Sequence, residues 1–445
     1  MVPLSASAVP SVEVWLSKAP YPEARKRELK KLYDYCLQEG FTFFDSRGFP
    51  SRAAYCKCFL KNEGYPTYKF ARGIFSRTDF FKVYCAPYFK AIEDVLFRRK
   101  EFIKKIPVAQ RAAYIDSNYL YNTSLKDEFA LHTLNTDYSS FECSFSKDMI
   151  ESCEEVFYRY MLQDVPDSAH VLDVIMKVLK GTNVLKFRSI VAKVQARRMS
   201  GEMNTSLGNG FTNLMVYLYL CELKSCENRF VLIEGDDLLA QYYGPLFTVA
   251  DYEQFGLIVK TVYVNGPNEA SFCGQLYDRD SHILIADPIK VILNFSWTEI
   301  SQLGCRDRKL RTFLRAKALS YAYQYYQCPI IYPLAQTFLR LTCDSKVGKI
   351  QDGWRNYLVK CAQRSGFDFL KRDIPDSARM FMFKQFHITV ADQIAFEQYL
   401  DNIHVVQPLQ HDSIDRYITG VCKEFDLRYV RHVDTFCAMR SNLQF

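Results

Sequence analysis

The chain has 445 residues, 49% hydrophobic and 24% charged, a composition that excludes intrinsic disorder and allows a core large enough for two or three subdomains. A formal net charge of +7 makes it mildly basic, compatible with a nucleic-acid partner without establishing one. The 15 cysteines are odd in number, contain no CxxC and have no histidine at zinc-site spacing, so reduced thiols in a reducing compartment such as a cytoplasm are expected rather than a disulfide or zinc framework.

No apolar run approaches the roughly 20 residues of a membrane span, and Met1 to Val14 lacks the basic start and continuous apolar stretch of a signal peptide. Residues 1–24 are rich in Ser, Ala and Pro and predict a loosely ordered lead, followed by a charged helix over Glu23 to Gln38. Residues 50–111 interleave Lys and Arg with Tyr and Phe, a pattern suited to phosphate binding, although Arg98 to Lys105 also reads as a solvated helix face. From 130 to 290, short apolar strands alternate with longer helices, an α+β signature. Beyond Trp297 the chain is expected to be mainly helical, with helices over Leu310 to Tyr326 and Trp354 to Gly366.

Three segments of the α+β stretch carry chemistry. Asn135 to Glu142 places Asp137 at a strand end and a second acid, Glu142, five residues later. Ser200 to Asn209 reads as a tight loop entering a helix, with Thr205 and Asn209 four apart and so on one helical face. Val231 to Leu239 flanks Gly235-Asp236-Asp237 with apolar residues on both sides, the pattern of a β-hairpin with acids at its tip. Alone, that triplet is an ordinary acidic turn; Asp137 is the natural third carboxylate.

Together, Asp137 to Glu142, the SGxxxTxxxN pattern of Ser200 to Asn209 and Gly235-Asp236-Asp237, in that order, resemble motifs A, B and C of a viral RNA-dependent RNA polymerase of positive-strand RNA viruses, of the tombusvirus-like and nodavirus-like group. Cys58 to Glu63, Arg72 to Arg77 and Ala86 to Glu93 resemble motif F, Gly256 to Lys260 motif D, and Ser271 to Gly274 motif E. The resemblance covers residues 57 to 330 and implies a right hand: basic fingers, a ferredoxin-like palm holding the Gly-Asp-Asp hairpin and a helical thumb. The implied division is 1–125 for the lead and fingers, with motif F at 57–93. It continues with 126–149 for the first part of the palm, 150–186 for a fingers insertion, 187–290 for the second part of the palm and 291–445 for the thumb.

By resemblance, Asp137, Asp236 and Asp237 hold two Mg²⁺ ions, with Mn²⁺ as an alternative, Asp237 in the supporting role. Two carboxylates about 4 Å apart repel by on the order of 4 kcal/mol at an effective dielectric near 20, so such a cluster calls for cations. Arg72 and Arg77, helped by Lys61 and Lys69, would bind the incoming triphosphate. Lys260 occupies the position that protonates pyrophosphate. Gly201 counts among the nucleotide-binding residues, and Asn209 with Ser200 and Thr205 would select ribose. Glu142 shares that role but stands where the family has Asp, which changes its reach.

Phe272, Cys273 and Gly274 would grip the primer strand. The implied partners are template and nascent RNA, nucleoside triphosphates and other viral replication proteins that supply membrane anchoring. The implied location is the host cytoplasm, at membrane-associated replication complexes. Two alternatives stay open: an RNA-directed DNA polymerase, against which SGxxxTxxxN argues, and a catalytically silent RNA-binding replication subunit. The sequence also leaves open a readthrough product or polyprotein fragment, and primed or de novo initiation.

Overall fold

The computed structural model describes residues 1–61, 70–119, 131–264, 266, 268–296, 307–350, 353–367, 371, 373–407 and 409–426. The chain divides into two compact units. The first takes Met1–Lys61, Ala71–Lys105 and Leu120–Asn265, and the second takes Asn62–Phe70, Ile106–Tyr119 and Gly266–Phe445.

In the first unit the described strands are β1 (Cys56–Leu60), β2 (Gly73–Arg77), β3 (Leu131–Tyr138), β4 (Thr182–Lys186), β5 (Val191–Gln195), β6 (Glu227–Glu234), β7 (Asp237–Tyr243) and β8 (Val259–Val264). They form two four-stranded sheets, ordered β2-β1-β4-β5 and β6-β7-β3-β8. Neighbours in the second sheet are all antiparallel. The chain leaves this sheet after β3, contributes β4 and β5 to the other sheet, and returns through the helix Thr205–Leu223 to β6 and β7. A short helix, Val249–Glu253, then leads to β8. The second sheet is thus a β-α-β-β-α-β arrangement. In the first sheet β5 pairs antiparallel with β4.

The sequences fit these positions. In β7, a central strand, Leu238 to Tyr242 are all buried, as expected for a strand covered on both faces. The helix Thr205–Leu223 is apolar nearly all round and most of it is buried. Its Gly208 is needed for space: a Cβ there would collide with the side chains of Glu154 and Arg198.

The N-terminal lead is ordered, contrary to its composition. Ser11 caps the helix Val12–Lys18, whose Val12, Trp15 and Leu16 are buried and pack with Leu29, Val83 and Ala86. Leu4 is also buried, and its amide donates to the Met161 carbonyl at 2.8 Å. A few large apolar anchors outweigh the surrounding Ser and Pro. Residues 98–105 are likewise not helical; Phe102 forms a parallel bridge with Ile233 of β6.

The second unit contains the helix Val108–Asn118, the antiparallel pair β9 (Leu276–Asp278) and β10 (Ile283–Ile285), and a set of helices. These include Asp307–Gln324 and Gly353–Arg364, close to the ranges expected from the sequence. Its core includes Phe295, Tyr321, Tyr332, Phe338 and Phe396. Arg340 donates to the carbonyls of Leu400 and Ile403 and so caps the helix Val390–Asp401. Among the described residues, no helix is long and apolar enough to cross a membrane.

Candidate active site

Strand register brings the acids together. Glu234 of β6 pairs with Asp237 of β7, which leaves Gly235-Asp236 as a two-residue hairpin loop. Gly235 has φ +63°, and the first loop position of such hairpins favours glycine because other residues are strained there. On its other side β7 pairs with β3 up to Thr136↔Leu238, so Asp137 lies one step further along the same end of the sheet as Asp237. Asp137 in turn faces Lys260 across β3 and β8. Asp137, Asp236 and Lys260 are exposed, and Asp237 is half-buried.

The helix Thr205–Leu223 fixes this end of the sheet through two asparagines. Asn209 is buried, and its amide donates to Glu142 Oε1 at 3.3 Å. One turn later, the Asn213 amide donates to the carbonyls of Gly235 at 3.2 Å and Asp236 at 3.0 Å. Tyr138, the neighbour of Asp137, donates its hydroxyl to Asn213 Oδ1 at 3.2 Å. Asn213 was not among the expected site residues; its spacing four residues after Asn209, inside an apolar run, was the available signal.

Electrostatics couple the same groups. Although Asp236 reaches solvent, the protein packed around its carboxyl desolvates it and raises it above its ordinary value; its own backbone hydrogen bond opposes this, Glu142 and Asp137 push further upward, and Arg72 pulls it down. Asp236 therefore shares a field with both other acidic positions and with one arginine. Among the described residues, however, no group of three or more His, Cys, Asp or Glu is arranged to hold a metal ion.

The remaining expected residues divide. Lys61 and Arg72 meet where β1 and β2 part, the Lys61 amide donating to the Arg72 carbonyl at 2.7 Å, and both side chains are exposed. Lys69 lies outside the described residues. Arg77 departs from its expected place on the triphosphate: its side chain is 3% exposed. Its Nε donates to Glu202 Oε1 at 2.6 Å and its Nη1 to the Ala54 carbonyl at 2.8 Å, while Nη2 bonds Asn183 Oδ1. Burial alone would lower the Arg77 pKa, but Glu202 outweighs it and holds the guanidinium above its ordinary value.

Arg198 joins this network. It pairs with Glu154, lies 3.7 Å from Glu202 Oε2, and is pulled down to about 10 by burial despite Glu202 and Glu142. Ser200 and Gly201 are stitched to β2 by Phe75, whose amide donates to Ser200 Oγ at 3.3 Å and whose carbonyl accepts from the Gly201 amide at 2.9 Å. The Thr205 hydroxyl closes the loop 2.8 Å from the Met199 carbonyl. In the second unit, Phe272 and Gln275 exchange two backbone hydrogen bonds of 3.0 Å around Cys273 and Gly274, both at positive φ. Phe272 is buried, so its ring is not presented for direct contact with RNA.

Residues 52–242 match the family described as viral RNA dependent RNA polymerase. By that match the protein is an RNA-directed RNA polymerase, a nucleotidyltransferase. The matched span contains Asp137, Ser200 to Asn209 and the Gly-Asp-Asp turn, and ends before Lys260. No curated protein matches the chain. Polymerases of this class copy an RNA template with nucleoside triphosphates and generally use divalent ions. Asp137 and Glu142 both disfavour the charge on Asp236, a repulsion of the kind that a nearby cation relieves.

Proposed function

We propose that this polymerase replicates and transcribes a positive-strand RNA genome of the tombusvirus-like and nodavirus-like kind. Its β-α-β-β-α-β sheet serves as a ferredoxin-like palm, the sheet β2-β1-β4-β5 belongs to the fingers, and the helical second unit contains the thumb. The reading rests on one observation above all: the register of β3, β7 and β6 collects Asp137, Asp236 and Asp237 at one end of one sheet.

In this reading Asp137 and Asp236 hold two Mg²⁺ or Mn²⁺ ions with help from Asp237, and bound ions would stabilise negative charge on the primer 3′-oxygen and the leaving pyrophosphate. Arg72 binds the triphosphate, a role supported by its electrostatic reach to Asp236. Asn209 and Glu142 select ribose. Asn209 Oδ1 is buried without a hydrogen-bond partner among the described residues, so a 2′-hydroxyl would complete the pair, and a deoxyribose would leave it open. Lys260 donates the proton to pyrophosphate. Membrane recruitment in the host cytoplasm falls to other replication proteins.

The test is primer-independent synthesis on a defined RNA template with Mg²⁺ and NTPs, run beside dNTPs. Template-length RNA from NTPs alone is expected, together with its loss in Asp236→Ala while RNA binding persists. Unchanged synthesis by Asp236→Ala would overturn the site assignment, and preference for dNTPs would overturn the ribonucleotide reading.

A further inference from the structure

The segment Arg98 to Lys105 carries five Lys or Arg in eight residues, and it takes a form that its charge pattern does not announce. The Ile233 amide donates to the Glu101 carbonyl at 2.8 Å, and the Ile103 amide donates to the Ile233 carbonyl at 3.3 Å. Phe102 and Ile103 are each 1% exposed. The middle of the segment is thus an apolar, backbone-bonded strap along the free edge of β6, two residues before Gly235.

Its cations are held outside. Arg98, Arg99, Lys100, Lys104 and Lys105 are exposed on either side of the anchor. Lys104 lies closest to the site: its Nζ is 3.9 Å from Glu234 Oε1 and contacts Ser206 Oγ, so it touches both the hairpin and the start of the helix Thr205–Leu223. Arg99 pairs with Glu101 at 2.9 Å and Lys105 with Asp94 at 2.8 Å. Exposed pairs of this kind contribute little and are readily exchanged for stronger phosphate contacts.

We propose that this strap is a phosphodiester-binding track that holds an RNA strand beside the catalytic turn, with Arg98 and Lys104 contacting its backbone. The inference rests on the polymerase reading. Acids that gather at the sheet end repel a polyanion, and a strand approaching them needs cations fixed nearby; a strap tied to β6 supplies them at little entropic cost. RNA is favoured over an anionic membrane because the anchoring residue, Ile233, belongs to the hairpin itself. A mere guard against edge-to-edge strand pairing would also use lysines there, but it would leave RNA affinity unaffected.

The experiment measures binding of a labelled single-stranded RNA between 50 and 200 mM salt for the wild type, for Arg98→Gln with Lys104→Gln, and for the charge-keeping pair Arg98→Lys with Lys104→Arg. Losing two backbone contacts lowers the salt slope by about 1.4, so affinity falls less across this range by about sevenfold. The double Gln variant should show that change and a raised KM for RNA, and the charge-keeping pair should not. If the double variant unfolds, Arg98→Gln alone should show half the slope change. An unchanged slope overturns the proposal, as does loss of binding only to phosphatidylserine vesicles. Synthesis by the wild type in the same tubes tests the polymerase reading separately.

Discussion

The side-chain amide of Asn213 donates to the backbone carbonyl of Asp236 at 3.0 Å and so ties the acid-bearing turn to the helix Thr205–Leu223. Its Oδ1 accepts from Tyr138, which links the strand of Asp137 to the same amide. Asn213→Ala leaves the carbonyls of Gly235 and Asp236 and the Tyr138 hydroxyl without this partner, a loss of about 1–3 kcal/mol for each buried group left unpaired. The expected outcome is a fall in kcat of about tenfold to hundredfold with a nearly unchanged KM for NTP. Asn213→Asp, which only accepts hydrogen bonds when ionised, should be worse than Ala. Steady-state kinetics beside thermal unfolding check both; equal loss of kcat and of folded protein would reduce the role to stability alone.

The two arginines of β2 and its approach should separate cleanly. Arg77→Ala leaves Glu202, in a site where both side chains are at most 3% exposed, to Arg198 at 3.7 Å, and removal of one partner from such a buried pair costs up to about 3–5 kcal/mol. A lower unfolding midpoint is expected. Arg72→Ala should keep the wild-type midpoint and raise the KM for NTP. Denaturant titration and NTP kinetics on the two variants decide the matter.

Gly208→Ala should destabilise the protein by about 1–3 kcal/mol, the range for forcing a methyl group into a packed site, because the new Cβ meets Glu154 and Arg198. Ala favours helix over Gly by about 1 kcal/mol at an exposed position, so a stabilised variant would contradict the close approach. Denaturant midpoints measure the sign directly.

Stability should decline as the pH falls below about 6.5. Burial lowers the pKa of His132 from its ordinary 6.5, opposed by a backbone hydrogen bond involving Gly244. The unfolded chain therefore takes up its proton first, so stability present above 6.5 is lost as the pH falls through that value toward the lower folded one. The ring centroid of His132 lies 5.6 Å from Tyr242 and 5.8 Å from Tyr263. His132→Phe keeps this aromatic packing and should flatten the decline. Urea unfolding at pH 7.5 and 5.5 compares the two proteins.

Features fixed by neighbours in sequence were legible. Gly235 between apolar runs announced the hairpin, and the spacing of Thr205 and Asn209 announced a helix face. Arg72 and Arg77 looked alike because nothing within five residues distinguishes them; Glu202, 125 positions from Arg77, takes one of them into the interior. The Ser-, Ala- and Pro-rich start concealed Leu4 and Trp15, since burial depends on a few large side chains and not on average composition. Phe272 read as a contact residue and is a buried turn residue. Charge alone described Arg98 to Lys105, while Phe102 and Ile103 decide its form.

Asn213 grips the turn by its main chain, so the anchor is indifferent to which side chains the turn displays. Asp236→Asn should therefore preserve the turn while removing one carboxylate. Such a protein would be the form of choice for trapping template, primer and nucleotide together before chemistry, because its geometry should be that of the active enzyme.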